Sequence, residues 1–195
     1  MAMFRRVVLT GGPGAGKTVV SRRIAQRYPD RIVPVPEAAT QVYQALGTRW
    51  DRLDIPGRRD VQRRIYRLQL EQEDRFAREH PHKILLLDRG TIDGAAYWPD
   101  GPDAYWRDLG SSLQQELARY DMVIWMQTCA AMGLYDGQAS NFCRFESAQA
   151  AVASGKLLLE LWSLHPNLRR IGVFANLEDK VRAVEQVLAP ELASR

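Results

Sequence analysis

Leu9-Thr10-Gly11-Gly12-Pro13-Gly14-Ala15-Gly16-Lys17-Thr18 joins a short apolar run to a glycine-rich turn and then to a helical pattern. Residues 11–18 match G-x-x-x-x-G-K-[ST] without a mismatch. The residue types suit one task. Glycines let successive backbone N–H groups turn toward an anion without Cβ clashes. A helix beginning near Lys17 aims its positive end at the same place. The spacing predicts a phosphate-binding loop made of Gly11, Gly12, Pro13, Gly14, Ala15, Gly16, Lys17, Thr18 and Val19. Lys17 reaches the outer phosphates of ATP or GTP, and Thr18 offers its hydroxyl to Mg²⁺.

The flanks agree. Arg5–Thr10 is β-branched and reads as a buried strand. Lys17–Tyr28 carries Val20, Ile24 and Tyr28 on one helical stripe. Further on, Ile32–Pro36, Lys83–Asp88, Asp121–Gln127 and Leu168–Ala175 read as strands. Ala38–Leu46, Gly57–Glu79, Pro102–Tyr120 and Arg144–Leu164 read as helices, the last of them interrupted at Gly155. Asn176 reads as the cap of a final helix with Val181, Val184 and Leu188 inward. Strands alternating with helices predict an α/β fold: a five-stranded parallel sheet covered on both faces. With 195 residues and no long linker, one domain is expected over 1–195.

Composition narrows the classes. Apolar residues make up 46%, and no run approaches the length needed to cross a membrane. Two cysteines, Cys129 and Cys143, cannot build a disulfide framework or a four-ligand zinc site. Three histidines, two of them the proline-flanked His80 and His165, argue against a histidine metal centre. A reduced, soluble, cytoplasmic protein is expected, as a monomer or homodimer. The net charge, 27 − 23 = +4, is too mild to announce nucleic-acid binding. Arginine outnumbers lysine 23 to 4, so each lysine suggests a specific need for an ammonium group.

In parallel sheets ligands sit at the carboxyl ends of the strands. Two strands deliver charged residues there. The second leads into Val35-Pro36-Glu37-Ala38-Ala39-Thr40, and the third into Asp88-Arg89-Gly90-Thr91-Ile92-Asp93-Gly94-Ala95-Ala96-Tyr97. With these residues the chain resembles the P-loop nucleoside and nucleotide kinases. The Asp-Arg-x-x-x-Asp-x-x-Ala-Tyr run is similar to that of thymidylate kinases, and Glu37 to the catalytic Glu of deoxynucleoside kinases. The fullest resemblance is to bacterial ATPases labelled AAA and related to the ribosylnicotinamide kinase domain of the NAD-biosynthesis regulator. It runs on through Arg144-x-Glu146 and Trp162-x-x-His165-Pro166. The ending Leu87-Asp88-Arg89 is kinase-like and lacks the Asp-Glu of ring-forming ATPases.

The resemblance implies the kinase-type strand order 2-3-1-4-5, and it implies roles. Asp88 would hold Mg²⁺ through water. Arg89 would contact phosphates. Glu37 would be the general base or would orient a water. Asp93 and Tyr97 would line an acceptor pocket. Kinases of this kind also close a lid after the fourth strand. Residues 129–147 fit by position, and between Arg119 and Lys156 the sole cation is Arg144, which is therefore expected to be the lid arginine, near Asn141. Arg58, Arg59, Arg63, Arg64 and Arg67 crowd the Gly57–Glu79 helix, either to meet an acidic ligand or as a solvated face paired with Asp60, Glu71 and Glu73. Gln62 and Gln69 lie on one face of that helix, where an amide offers both donor and acceptor to a ring. The implied function is phosphoryl transfer from MgATP to a small-molecule acceptor, nucleoside or nucleotide. An NTPase switch working with a protein partner is the alternative, and an ATP-dependent nucleic-acid module the third.

Overall fold

A computed structural model describes residues 5–132 and 148–193. Its centre is β1 (Arg6–Thr10), flanked in a five-stranded sheet by β3 (Ile84–Asp88) and β4 (Met122–Met126), with β2 (Ile32–Val35) and β5 (Leu168–Ile171) at the edges. All pairings are parallel. The order β2-β3-β1-β4-β5 is the expected one.

β1 and β3 are apolar on both sides because both sides are covered. Val7, Leu9, Ile84, Leu86 and Ile124 face a core built with α1 (Lys17–Arg27) and α7 (Leu177–Ala193). Val8, Leu85, Leu87 and Val123 face the other way. They meet side chains of α3 (Ile55–Glu79), α4 (Pro102–Leu109), α5 (Leu113–Leu117) and α6 (Ala148–Trp162), together with a short 3-10 helix, Thr91–Tyr97. α2 (Ala38–Leu46) packs on α3 through Val42, Tyr43 and Val61.

Several boundaries depart from the sequence reading. The helix expected over Pro102–Tyr120 is two helices, because Gly110 ends the first in the left-handed region and Ser112 caps the second through Gln115 N. α3 begins at Ile55, where Asp54 accepts from Gly57 N at 2.8 Å and Pro56 suits the first turn. α6 runs through Gly155 unbroken, since that glycine packs against the phosphate loop. β5 stops at Ile171, four residues before the expected end. The 3-10 helix Thr91–Tyr97 was not expected. Among the described residues no helix is long and apolar enough to cross a membrane.

Candidate functional site

The loop between β1 and α1 has the carbonyls of Pro13, Gly14 and Ala15 held by donors from outside it. Lys17 Nζ donates to Gly11 O (2.9 Å) and Gly12 O (3.3 Å). Thr128 Oγ1 donates to Pro13 O at 2.5 Å, the Cys129 N–H to Gly14 O at 3.4 Å, and Lys180 Nζ to Ala15 O at 3.1 Å. Val20 N–H reaches Gly16 O at 2.9 Å. A planar trans peptide points its N–H opposite to its carbonyl. Carbonyls held outward therefore turn N–H groups inward, and those of Gly14, Gly16 and Thr18 have no partner among the described residues. With the first turn of α1 this is an anion cradle.

Below the cradle, Thr18 Oγ1 donates to Asp88 Oδ2 at 2.5 Å. The other oxygen, Asp88 Oδ1, is buried without a hydrogen-bond partner among the described residues. Burial first, and then the nearby Glu37, raise the Asp88 carboxyl above its ordinary range; Lys17, Thr18 and Arg89 pull it down. A hydroxyl beside an orphaned carboxylate oxygen fits a hydrated Mg²⁺, which takes few ligands from protein and more from phosphate and water. Among the described residues no group of three His, Cys, Asp or Glu could hold a metal by itself.

Arg89 follows at the end of β3 with φ +78°, a left-handed backbone in a non-glycine residue. Its guanidinium lies between two carboxylates. Nε donates to Glu37 Oε1 at 2.6 Å, and Nη1 to Asp93 Oδ2 at 2.9 Å. Its backbone carbonyl accepts from Gln69 Nε2 at 3.3 Å. Burial pulls the guanidinium down, but Tyr97, Glu37 and Asp93 outweigh it and keep it firmly charged. Glu37 also accepts from Thr40 Oγ1 at 2.6 Å.

Asp93 is fully engaged. Its oxygens accept from Thr10 Oγ1 (2.8 and 2.9 Å), Trp162 Nε1 (2.7 Å) and Arg89. It holds Arg89 in place rather than presenting a free carboxylate. His165 ties the end of α6 to β4. Its Nδ1 accepts from Asn167 N, which leaves the proton on Nε2 to donate to Tyr120 O at 2.9 Å.

Two cavities meet at Glu37 and Thr40. One, of about 850 Å³, opens over Gly14, Gly16, Lys17, Thr18 and Asp88. The other, of about 100 Å³, is bounded by α2, α3 and the Thr91–Tyr97 turn. Glu37, Arg89, Asp93, Tyr97 and Gln69 all line it, with Trp50, Tyr43, Ile65 and Tyr105. Tyr97 is a wall residue under Arg89, whose guanidinium lies 5.6 Å from the ring centroid. The two glutamines of α3 differ. Gln69 Nε2 is committed to Glu73 and to the Arg89 carbonyl. Gln62 is 4% exposed and its amide has no partner among the described residues.

Four of the five crowded arginines of α3 have structural partners. Arg59 pairs with Asp100, Arg63 grips Asp108 with two bonds of 2.6 Å, Arg64 pairs with Asp60, and Arg58 stacks over Trp50. Glu73 is fully buried and serves Arg119, Gln69 and Tyr120 instead. Arg144, Asn141 and residues 133–147 of the expected lid lie outside the described residues. Sequence reasoning missed Thr10, Trp162 and Lys180. Thr10 stood inside the run that opened the reading, Trp162 in a noted motif, and Lys180 among four lysines.

Solved structures share this architecture. NadR protein in complex with NAD and AMP-PNP matches with a TM-score of 0.63 and 17% identity, over 99% of this chain and 51% of that one. NadR protein in complex with NR matches at 0.69 and 16%, over 99% and 52%. The chain thus spans about half the length of these NadR chains. Thymidylate kinase from Candida albicans matches at 0.67 and 12%, over 97% and 93%. No curated protein matches in sequence. A family model described as AAA domain matches residues 6–179.

Proposed function

Since the chain belongs to that AAA domain family and its fold is that of the P-loop kinases, we propose that it transfers the terminal phosphoryl group of a nucleoside triphosphate, ATP in the first instance, to a hydroxyl of a nucleoside-like acceptor. The observation that carries this reading is Glu37. One carboxylate lines both the phosphate-side cavity and the aromatic one, where an acceptor hydroxyl and a γ-phosphate would meet.

The roles follow from the geometry. The cradle N–H groups and Lys17 hold the phosphates, Lys17 exchanging its contacts with Gly11 O and Gly12 O for phosphate oxygens. A bound Mg²⁺, held by Thr18 and through water by Asp88, would neutralise phosphate charge. Glu37 takes the proton from the acceptor hydroxyl as its oxygen bonds to the γ-phosphorus. The bond to the β-phosphate oxygen breaks, and a nucleoside diphosphate leaves. Arg89 steadies Glu37 and offers charge to the transferred group. Arg144, on the segment after β4, is assigned the closing cation by its position in the sequence.

The charge of the smaller cavity supports an unphosphorylated acceptor. Its charged lining is Glu37 and Asp93 against Arg89, a net negative set, and Arg59, Arg63 and Arg64 of α3 are paired with Asp100, Asp108 and Asp60. Gln62 presents a donor and an acceptor to a planar ring between aromatic walls. NR, the ligand bound in one structural neighbour, is consistent with such an acceptor.

The test is ADP release from MgATP with pools of nucleosides, nucleoside monophosphates and pyridine ribosides, with product masses read in parallel. One unphosphorylated acceptor should speed release and gain a single phosphoryl group. Acceleration by monophosphates alone would overturn the choice of acceptor. Free phosphate as the sole product in every pool would overturn the kinase reading in favour of NTP hydrolysis.

A further inference from the structure

Lys180 lies in the first turns of α7, 165 residues from the loop it touches. It is 3% exposed. Its ammonium donates to Ala15 O at 3.1 Å and to Gln127 O, just past β4, at 2.8 Å. No carboxylate pairs with it among the described residues. Two costs attend this placement. A buried cation facing only neutral oxygens loses hydration that carbonyls repay in part. A cation near a helix N-terminus also opposes the helix dipole. Burial lowers the ammonium's pKa from the lysine range, and neighbouring Cys129 raises it.

We infer that Lys180 is a positioning residue for the phosphate loop, whose ammonium fixes the Ala15–Gly16 peptide so that the Gly16 N–H faces the incoming phosphates. The inference rests on the nucleotide reading of the loop given above. The argument is geometric. Holding the Ala15 carbonyl toward Lys180 sends the Gly16 N–H the opposite way, into the cradle. Holding the Gln127 carbonyl with the same nitrogen anchors that peptide to the sheet. Pro13 O and Gly14 O are held by neutral donors, a hydroxyl and a backbone N–H. Among the described residues Lys180 is the charged donor that reaches the loop from outside it, and it adds a positive charge behind the anion site. A compact ammonium suits two converging carbonyls better than a planar guanidinium. That accounts for a lysine at this position in a chain with 23 arginines and four lysines.

The experiment is calorimetric titration of the full chain with Mg·AMP-PNP. Lys180→Met keeps the side-chain volume and removes the charge; it should bind about 10-fold more weakly than wild type or worse. Lys180→Ala leaves room for the missing propylamine. Its affinity should recover in propylammonium chloride and not in propanol at equal concentration, a difference that lost packing alone would not produce. Circular dichroism reports that each variant is folded. Wild-type affinity in Lys180→Met overturns the inference, as does equal rescue by propanol. Wild type that fails to bind Mg·AMP-PNP would overturn the nucleotide reading and this inference with it. Wild type that binds while Lys180→Met is unchanged would overturn this inference alone.

Discussion

At the scale of single residues, Asp88 and Glu37 share one electrostatic problem and separate in how they answer it. Asp88 is raised by burial and then by Glu37. A carboxyl raised in the folded state binds its proton more tightly there than in the unfolded chain. The ligand-free protein therefore loses stability as pH climbs through the raised value. Asp88→Asn removes that ionisation. In chelator and without nucleotide, it should melt above wild type near about pH 8, the gap closing toward about pH 4. A variant that melts below wild type at the higher pH would mean that the Thr18 hydrogen bond outweighs burial. Glu37 is instead clamped by Arg89 and Thr40. Glu37→Gln should keep nucleotide affinity and lower turnover about 10²–10⁴-fold, the usual worth of a general base. Full turnover in that variant would remove the base from the mechanism. Lys17→Ala should lose both nucleotide binding and turnover in the same assays.

At the scale of elements, α6 and the phosphate loop meet glycine to glycine, and the two glycines are not equivalent. A Cβ on Gly12 would lie 2.4 Å from Ala151 O, whereas one on Gly155 would lie 3.5 Å from Gly12 N. Gly12→Ala should therefore cost about 1–3 kcal/mol through overpacking. Gly155→Ala should be neutral, or gain up to about 1 kcal/mol from helix propensity. Urea titrations of the two variants measure both; a destabilised Gly155→Ala would place the helix closer than the structure has it. This contact also marks how far the sequence could be read. Periodicity, caps and the loop motif are local signals, so the strands, α2 and the cradle were legible, while the strand order followed from the resemblance to kinases. Gly155 looked like a helix breaker because its partner lies at residue 12. Glu73 read as an acid on the solvated side of α3, yet it is buried, as are Gln62, Gln69 and Gln72. Gln69 and Glu73 find their partners in Arg89, Arg119 and Tyr120, which no window along α3 contains. Asp93 was legible as a site residue, but its bonds to Thr10 and Trp162 required the fold. The partners of Arg59 and Arg63, Asp100 and Asp108, came from beyond the helix for the same reason.

At the scale of the whole molecule, the mild charge of +4 and the ion pairs of Arg59, Arg63 and Arg64 reduce the free field for nucleic acid. Anisotropy with a labelled oligonucleotide at about 0.15 M salt should show no binding below about 100 μM. A steep salt-dependent isotherm would restore the nucleic-acid reading. The sheet also guards its two open edges. Pro34 removes a donor from β2, and exposed Arg169 and Arg170 put charge on β5. The central strand has a different kind of dependence. Val8 of β1 lies beside Leu87 of β3 and Val123 of β4, roughly 80 and 115 residues later in the chain. At a ribosome adding about 5–20 residues per second, β1 waits several seconds for its first neighbour and longer for its second. During synthesis the strand that leads into the phosphate loop thus waits longest for its neighbours. A chaperone that grips short hydrophobic stretches on nascent chains would find its target there first, and would have to let go before the cradle can form.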